Sequence, residues 1–286
     1  MGGLGNQMFQ YAAARAVAQR NNVPIKLDIS WYESQELRSY RLDHFNISAD
    51  IAASEEIASV KGESFVGIQA KLFRWSQKFL PYYKRRVIKE QSLQFDPNIR
   101  KVPFNAYLIG NWQSEKYFAD ISKVIHEEFR VKDKPDLQNQ EVEEIIHDTQ
   151  SVSVHIRRGD YVSNLLVKQI HGTCDPEYYK KGIELIVNRV ADPHLFIFSD
   201  DPQWAIENLT YDHPTTFVSH NDPSRDYEDL RLMSMCKYHI TANSSFSWWG
   251  AWLASKAIIT VNPKKWFTDG NEEKNKDRWP PDWISI

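Results

Sequence analysis

The chain contains little cysteine and no long apolar run. Only Cys174 and Cys236 occur among its 286 residues, so neither a disulfide framework nor a four-cysteine zinc site can form, and a reducing compartment is indicated. No stretch approaches the 18 consecutive apolar residues of a membrane-spanning helix. The amino terminus lacks the basic region and apolar core of a signal peptide. We therefore expect a cytoplasmic protein, either free or peripheral at the inner membrane.

A strong charge excess and the common cofactor motifs are also missing. There are 35 Lys and Arg against 38 Asp and Glu, a formal net charge of −3, which argues against a dedicated nucleic-acid-binding protein. The chain has no G-x-x-x-x-G-K-[ST] and no H-E-x-x-H sequence, and Met8 stands where the third glycine of G-x-G-x-x-G would follow Gly3 and Gly5. We expect no nucleic-acid partner, no metal and no bound cofactor.

The composition that remains is that of a folded protein large enough for two domains. Hydrophobic residues make up 42% of the chain and ten residues are Trp, an ordinary globular profile. A length of 286 residues suggests two domains. The segment Lys132 to Asp136 is polar and contains a proline, as linkers do. We place the boundary there and predict domains 1–131 and 132–286.

The second half of the chain alternates between strand and helix patterns. Strands are predicted at 151–156, 194–198, 238–242 and 257–261, and helices at 176–190, 202–209, 226–237 and 246–254. Such alternation indicates βαβ units and a parallel sheet. In the first half, a helix over 6–20 and an edge strand over 23–29 are predicted. The fold class predicted is α/β.

Three of the predicted strands run directly into polar clusters. The clusters are His155 to Tyr161, Ser199 to Pro202, and Asn243 to Ser247. Ligands of open α/β sheets bind beyond the carboxyl ends of the strands. The three clusters therefore point to a single site.

The residue types in these clusters suit a nucleoside diphosphate. Arg157 and Arg158 offer planar forks for phosphate oxygens. Ser244 and Ser245 open a helix, whose free N–H groups attract anions. Asp200 or Asp201 could accept two N–H donors from a base edge. Each cluster also has an ordinary structural interpretation: an ion pair for the arginines, and helix caps for the aspartates and the serines.

The sequence resembles the bacterial α-1,2-fucosyltransferases. The motifs that carry the resemblance are Gly2 to Tyr11 (GGLGNQMFQY), His155 to Tyr161 (HIRRGDY), Phe198 to Asp201 (FSDD) and Asn243 to Leu253 (NSSFSWWGAWL), in the expected order. The resemblance implies an inverting, GT-B-like enzyme of two Rossmann-like α/β domains facing a cleft. Residues 1–131 would take the acceptor and residues 132–286 would bind GDP-fucose. The acceptor would be a galactose-terminated oligosaccharide or a lipid-linked glycan.

The resemblance also assigns roles to residues. It implies that His155 and Asp200 recognise guanine, that Arg157 and Arg158 hold the diphosphate, and that Ser244 and Ser245 lie near the phosphates. Asn243 and Phe246 belong to the same donor-binding motif. In the other domain, Gly3, Gly5, Asn6 and Gln7 would form a loop facing the nucleotide. Members of the family usually begin with a short apolar strand before the Gly-Gly pair, whereas Met1 precedes it directly here.

The expected chemistry is direct displacement at the anomeric carbon, with GDP leaving. Arg158, or Arg157, would stabilise the charge that develops on the β-phosphate. Asp160 could act as general base or only orient the arginines, and Asn6 could position the acceptor hydroxyl. Trp31, Tyr40 and Trp112 are candidate platforms for the acceptor sugar. Two alternatives stay open: a GDP-sugar-binding protein without transfer activity, and a fucosyltransferase of another linkage or donor.

Overall fold

The structure is a computed structural model that describes residues 1–35, 38–159, 169–170, 172–209, 212–269 and 272–286. The chain divides into two compact units, Met1–Arg130 and Val131–Ile286. Each unit combines helices with parallel strands. The α/β class predicted from the alternation of elements is confirmed.

The first unit contains four helices and four short strands among its described residues. They are α1 (Leu4–Asn21), β1 (Ile25–Leu27), β2 (Ala49–Ile51), α2 (Ser54–Lys61), α3 (Gly67–Phe79), β3 (Val87–Lys89), β4 (Tyr107–Ile109) and α4 (Ser122–Glu128). Strand β1 pairs with β2 and β3 pairs with β4, both in parallel, giving two separate two-stranded sheets. Short 3-10 turns fill much of the remaining chain.

Helix α1 begins earlier than the sequence predicts. The amides of Asn6 and Gln7 donate to the Gly3 carbonyl at 3.0 and 3.1 Å, so Leu4 already lies in the first turn. The loop over 2–7 that the resemblance implies is therefore wrong from Leu4 onward, and the helix predicted over 6–20 starts two residues earlier than predicted. The helix ends at Asn22, which adopts the left-handed conformation with φ 52°. The predicted apolar face packs inward, and Phe9 and Ala16 are fully buried.

The second unit contains a six-stranded sheet in which every described pairing is parallel. The strands are β5 (Gln150–Ile156), β6 (Pro193–Ser199), β7 (Thr215–Val218), β8 (Tyr238–Ile240), β9 (Ile259–Asn262) and β10 (Ile284–Ser285). Their spatial order is β10-β9-β8-β5-β6-β7. Numbered within the unit and read from β7, this is the 3-2-1-4-5-6 order of dinucleotide-binding folds.

Helices cover both faces of this sheet. They are α5 (Leu137–Asp148), α6 (Pro176–Val187), α7 (Pro202–Asn208), α8 (Asp226–Met235) and α9 (Ser245–Trp252). Leu195 and Ile197 of β6 pack with α6, whereas the alternate residues Phe196 and Phe198 pack with α5 and α8. Because both faces are buried, even the polar residues of β5 are removed from water, and Ser153 is 1% exposed.

Candidate functional site

The strand order places a topological switch point between β5 and β8. Strand β5 pairs with β6 on one side and with β8 on the other. After β5 the chain forms β6 and β7 on the first side, and it then crosses to form β8, β9 and β10 on the second side. In such sheets the crevice beyond the strand ends at the switch point is where ligands bind. The cluster that begins at His155 follows β5, and the cluster that begins at Asn243 follows β8. The structure therefore brings these two clusters to one edge, and the Asp200 cluster joins them from β6.

Asp200 ties the end of β6 to the arginine segment after β5. Its Oδ1 accepts the backbone N–H of Arg158 at 2.7 Å, and its Oδ2 lies 3.0 Å from the Arg157 guanidinium. The side chains of Arg157 and Asp200 are 22% and 24% exposed. Both are thus reachable from solvent while their relative position is fixed by two contacts.

Arg158 is held by a second carboxylate and by an aromatic ring. Its Nε donates to Asp201 at 3.2 Å, and the guanidinium carbon lies 3.9 Å from the centre of the Trp204 ring. Asp201 also caps helix α7, because its Oδ1 accepts the backbone N–H of Trp204 at 3.2 Å. The ion-pair and helix-cap interpretations of these residues therefore both hold, and together they fix the plane of the Arg158 side chain.

Trp204 is a contributor that the sequence did not single out. It lies in the first turn of α7, three residues after the capping Asp201. That spacing was visible in the sequence as the start of a helix. The stacking on Arg158 was not, because it depends on the distance between the segments after β5 and β6.

Gly159 allows the arginine segment to approach Asp200 closely. A Cβ atom at this position would lie 2.6 Å from Oδ2 of Asp200 and 3.2 Å from its Cγ. Any side chain at residue 159 would therefore displace the carboxylate that holds Arg157. The next residue, Asp160, was a candidate catalytic residue, and it lies outside the described residues.

His155 is a buried, neutral imidazole beneath this segment. Its side chain is 5% exposed. Burial, followed by the nearby positive charge of Arg157, lowers the pKa of His155 to about 3. Its Nδ1 has no hydrogen-bond partner among the described residues, and the ring lies 5.4 Å from that of Phe246. A buried imidazole nitrogen without a partner is suited to bind a polar ligand atom.

The Ser247 side chain stabilises the turn between β8 and α9. Its hydroxyl accepts the backbone N–H of Ala242 at 3.1 Å and lies 3.4 and 3.3 Å from the Ala242 and Ser244 carbonyls. Ser244 caps helix α9, because its Oγ accepts the Phe246 amide at 3.3 Å. Ser244 is 7% exposed, whereas Ser245 and Phe246 are half-buried. Of this group, Ser245 and Phe246 are the most accessible to a ligand.

The Asn243 side chain connects separate segments of the second unit. Its amide nitrogen donates to the carbonyls of Gly172 and Trp266, at 3.4 and 3.2 Å, and its Oδ1 lies 3.7 Å from the Cys174 sulfur. The side chain is 3% exposed. Asn243 therefore joins three segments of the second unit, and any ligand contact would be additional to that role.

The predicted site residues of the first unit surround the start of α1. Gln7 is 3% exposed. It donates to the Gly2 and Ser39 carbonyls, and its Oε1 accepts the Arg41 amide at 3.0 Å. Gln7 thus holds the segment around residue 40 against α1.

Asn6 and the neighbouring glycines have different environments. Asn6 is half-buried and accepts a 2.8 Å bond from Gln113 Nε2. Gly3 precedes the helix, and a Cβ there would be 3.6 Å from Arg38, an ordinary contact. Gly5 lies buried in the first turn. Only Gly2, with φ 84°, needs the conformational freedom of glycine in this segment.

The three aromatic residues proposed as acceptor platforms line one cavity. Trp31, Tyr40 and Trp112 border a space of about 480 Å³ in the first unit. Its walls also include β1 and β4, but not their partners β2 and β3. Asp28 lies in the wall, where its Oδ2 accepts a 2.5 Å bond from the Tyr107 hydroxyl.

The described part of the chain holds neither a metal-ligand cluster nor a membrane-spanning helix. No group of three or more His, Cys, Asp or Glu side chains is arranged to hold a metal ion within the described ranges. Among the same residues, no helix has the length and apolar character needed to cross a bilayer.

Comparison with known proteins shows full-length similarity to glycosyltransferases. Glycosyl transferase family 11 matches residues 73–286. The chain is 36% identical to an α-1,2-colitosyltransferase of Escherichia coli, over all of the chain and 96% of that protein. It is 34% identical to the O-antigen biosynthesis glycosyltransferase WbnK of Escherichia coli, over 97% of each.

More distant similarities are to fucosyltransferases. The chain is 27% identical to human galactoside α-(1,2)-fucosyltransferase 1 over 47% of the chain and 38% of that protein. Among solved structures, the fucosyltransferase NodZ from Bradyrhizobium aligns with a TM-score of 0.49 at 12% identity, over 87% of this chain and 89% of that one.

Proposed function

Because the chain belongs to glycosyl transferase family 11, we propose that it transfers L-fucose from GDP-fucose to the 2-hydroxyl of a terminal galactose. The product is an α-1,2 linkage formed with inversion, and GDP is the leaving group. The observation that carries this proposal is the pair of guanidinium groups at the switch point, each held by its own carboxylate. Two guanidinium groups held in fixed positions suit the pyrophosphate of a nucleotide sugar.

Arg158 has N–H donors beyond the one that Asp201 accepts. A guanidinium carries five N–H donors, and the Nε bond to Asp201 occupies one of those of Arg158. When the bond between fucose and GDP breaks, negative charge accumulates on the β-phosphate. A donor already oriented towards that charge lowers the barrier without further rearrangement. Arg158, assisted by Arg157, supplies this electrostatic stabilisation.

His155 acts at the nucleotide end, and Asp200 acts on the arginine segment. Nδ1 of His155 offers a hydrogen bond to the nucleotide, and the low pKa of this imidazole keeps it uncharged at neutral pH. Asp200 was predicted to recognise guanine. Since both its oxygens already contact the arginine segment, its main task in this proposal is to position Arg157 and Arg158.

The start of α9 provides the second phosphate contact. Ser245 and Phe246 are half-buried, and the N-terminal end of a helix attracts anions. Asn243 and Ser244 support this segment from within. Gly3, Gly5, Asn6 and Gln7 are proposed to contribute from the first unit, with Asn6 positioning the acceptor hydroxyl. Two possibilities are kept for deprotonation of the acceptor: Asp160 acts as the general base, or no side chain does.

A second sugar nucleotide is also a candidate donor substrate. The relative at 36% identity is named an α-1,2-colitosyltransferase, and colitose differs from fucose by lacking the 3-hydroxyl. The two sugars share the anomeric centre at which displacement occurs. We therefore hold transfer from GDP-colitose as the second candidate function, with the same residues in the same roles.

The test measures GDP release from GDP-fucose with lactose as acceptor, in the presence of EDTA. Wild type should release GDP only when lactose is added. Arg158→Ala should lose at least ~100-fold, the effect of removing one preorganised donor. Arg189→Ala is the matched control, because Arg189 is exposed and bonds only locally, to the Leu185 carbonyl, in the described structure. It should retain full activity.

Each alternative has its own signature. GDP-fucose binding without acceptor-dependent GDP release would show that the protein binds the nucleotide sugar without transferring it. Faster release from GDP-colitose or GDP-mannose would change the donor, and a product linkage other than α-1,2 would change the regiochemistry. Loss of activity in EDTA would overturn the expected metal independence, and full activity of Arg158→Ala would remove the arginine from the mechanism.

A further inference from the structure

Helix α3 of the first unit presents an apolar stripe to solvent. The stripe consists of Ile68, Leu72, Trp75 and Phe79, whose exposed fractions are 76%, 60%, 62% and 70%. Their spacing of four, three and four residues places them on one face of a helix with 3.6 residues per turn. Exposed apolar side chains are common singly, but a continuous row of four large ones marks an interaction surface.

The opposite face of α3 is the one that holds it to the unit. Ala70, Phe73 and Gln77 are half-buried. The Phe73 ring lies 5.1 Å from that of Phe65, and Gln77 Oε1 accepts the backbone N–H of Arg86 at 2.8 Å. The helix is therefore docked by its inner face, which leaves the stripe on the outer face available to a partner.

Every charged residue in the segment that carries the stripe is basic. Residues 64–89 contain no Asp or Glu and seven basic residues, which are Lys71, Arg74, Lys78, Lys84, Arg85, Arg86 and Lys89. Lys71, Arg74 and Lys78 are exposed on the same helix as the stripe. We call these seven residues the basic segment. An anionic surface is the complementary partner for an apolar stripe bordered by such charge.

We propose that α3 lies in the surface of an anionic phospholipid membrane. The stripe would enter the boundary between headgroups and acyl chains, and the exposed basic residues of α3, which are Lys71, Arg74 and Lys78, would contact lipid phosphates. The 13 residues of α3 are too few to span a bilayer, which needs about 20, but amphipathic helices of this kind lie along one. A second copy of the chain is a poor occupant, because two basic segments would then face each other and repel.

The experiment is co-sedimentation of the full chain with vesicles. One vesicle preparation contains phosphatidylglycerol and phosphatidylcholine, and the other contains phosphatidylcholine alone. We expect binding to the anionic vesicles at least tenfold tighter than to the neutral ones, and we expect it to weaken as salt is raised. The double variant Leu72→Ser/Trp75→Ser should bind anionic vesicles at least tenfold more weakly, since burial of each large apolar side chain contributes about that factor.

Two further variants test whether membrane binding depends on the stripe itself, on any exposed apolar side chain, or on the basic residues. Ile206→Ser/Ile258→Ser is the matched control, because these side chains are 54% and 63% exposed in the second unit. It should bind as wild type does. Lys71→Gln/Lys78→Gln should weaken binding to anionic vesicles and reduce its salt dependence. Thermal unfolding of each variant, followed by circular dichroism, checks that the fold is retained.

Three results would overturn the proposal. The first is absence of wild-type binding to anionic vesicles. The second is equal binding by wild type and the folded stripe variant. The third is a concentration-dependent dimer in sedimentation velocity that the stripe variant abolishes, which would assign the stripe to a second copy.

Discussion

At the scale of single residues, the candidate site depends on how closely Gly159 approaches Asp200. Gly159→Ala would place a Cβ 2.6 Å from Asp200 Oδ2, a distance at which the carboxylate must move. Asp200 would then lose its hold on Arg157 and on the Arg158 amide. We expect kcat/KM for GDP-fucose to fall by about 10- to 100-fold, the scale of errors in positioning charged groups, as measured by the GDP-release assay.

The control for this prediction is a double-mutant cycle with Asp200→Ala. If Gly159→Ala acts by displacing Asp200, the double variant should be no less active than Asp200→Ala alone. Fully additive losses would show that the alanine disturbs something other than the carboxylate.

The residue types of the site were predictable from the sequence, but their partners were not. Arg157, Arg158 and Asp200 stood out because polar side chains directly follow predicted strands, and the structure brings all three together. The pairings depend on the distance between the segments after β5 and β6, which no local pattern encodes. For the same reason the contacts of Asp200 with the arginine segment, and the buried bonds of Gln7 and Asn243, were not predicted. Recognition of guanine by Asp200 stays a prediction.

At the scale of elements, the turn between β8 and α9 depends on one hydroxyl. Ser247→Ala would leave the Ala242 amide, which bonds to the Ser247 hydroxyl, without that acceptor in the core. An unsatisfied buried donor costs about 1–3 kcal/mol. We expect the free energy of unfolding to fall by that amount in urea denaturation. Ser234→Ala, which removes a hydroxyl bonded to the Arg231 carbonyl within α8, should change it by less than about 0.5 kcal/mol. Equal losses would contradict this role for Ser247.

Elements of the second unit were easier to predict than those of the first. The helices at 176–190 and 226–237 and the strand at 151–156 were predicted close to their observed bounds, because buried strands and amphipathic helices give long, regular patterns. Helix α5 and the short strands β7 and β10 were missed. In the first unit every described strand has three residues. The edge strand predicted over 23–29 is observed as β1, whereas β2 and β3 are too short for alternation to be recognised.

At the scale of the whole molecule, Asp229 makes the stability depend on pH. Burial raises the pKa of this carboxyl to about 7, and the negative charges of Asp226 and Glu228 add to the shift, while the Asn221 side-chain bond and Arg225 oppose it. The folded protein therefore holds a proton that the unfolded chain releases near pH 4. This contribution is fully present below about pH 4 and is lost as pH rises towards 7, by at most about 1.4 kcal/mol per pH unit.

The measurement compares wild type with Asp229→Asn in urea denaturation between pH 4 and pH 8. The difference in unfolding free energy, wild type minus variant, should decrease as pH rises to about 7 and then level off. His155 and His239, whose pKa values burial lowers to about 3 and about 4, make both proteins less stable below pH 6.5, and this effect cancels in the difference. A difference that does not change with pH would contradict a protonated Asp229.

The cavity of the first unit has a consequence for the sheets that border it. Strands β1 and β4 each have a described partner on one side only, and both line the cavity, whereas β2 and β3 do not. One strand of each small sheet therefore borders the cavity. A change of side-chain volume in the cavity would therefore reach both small sheets at once.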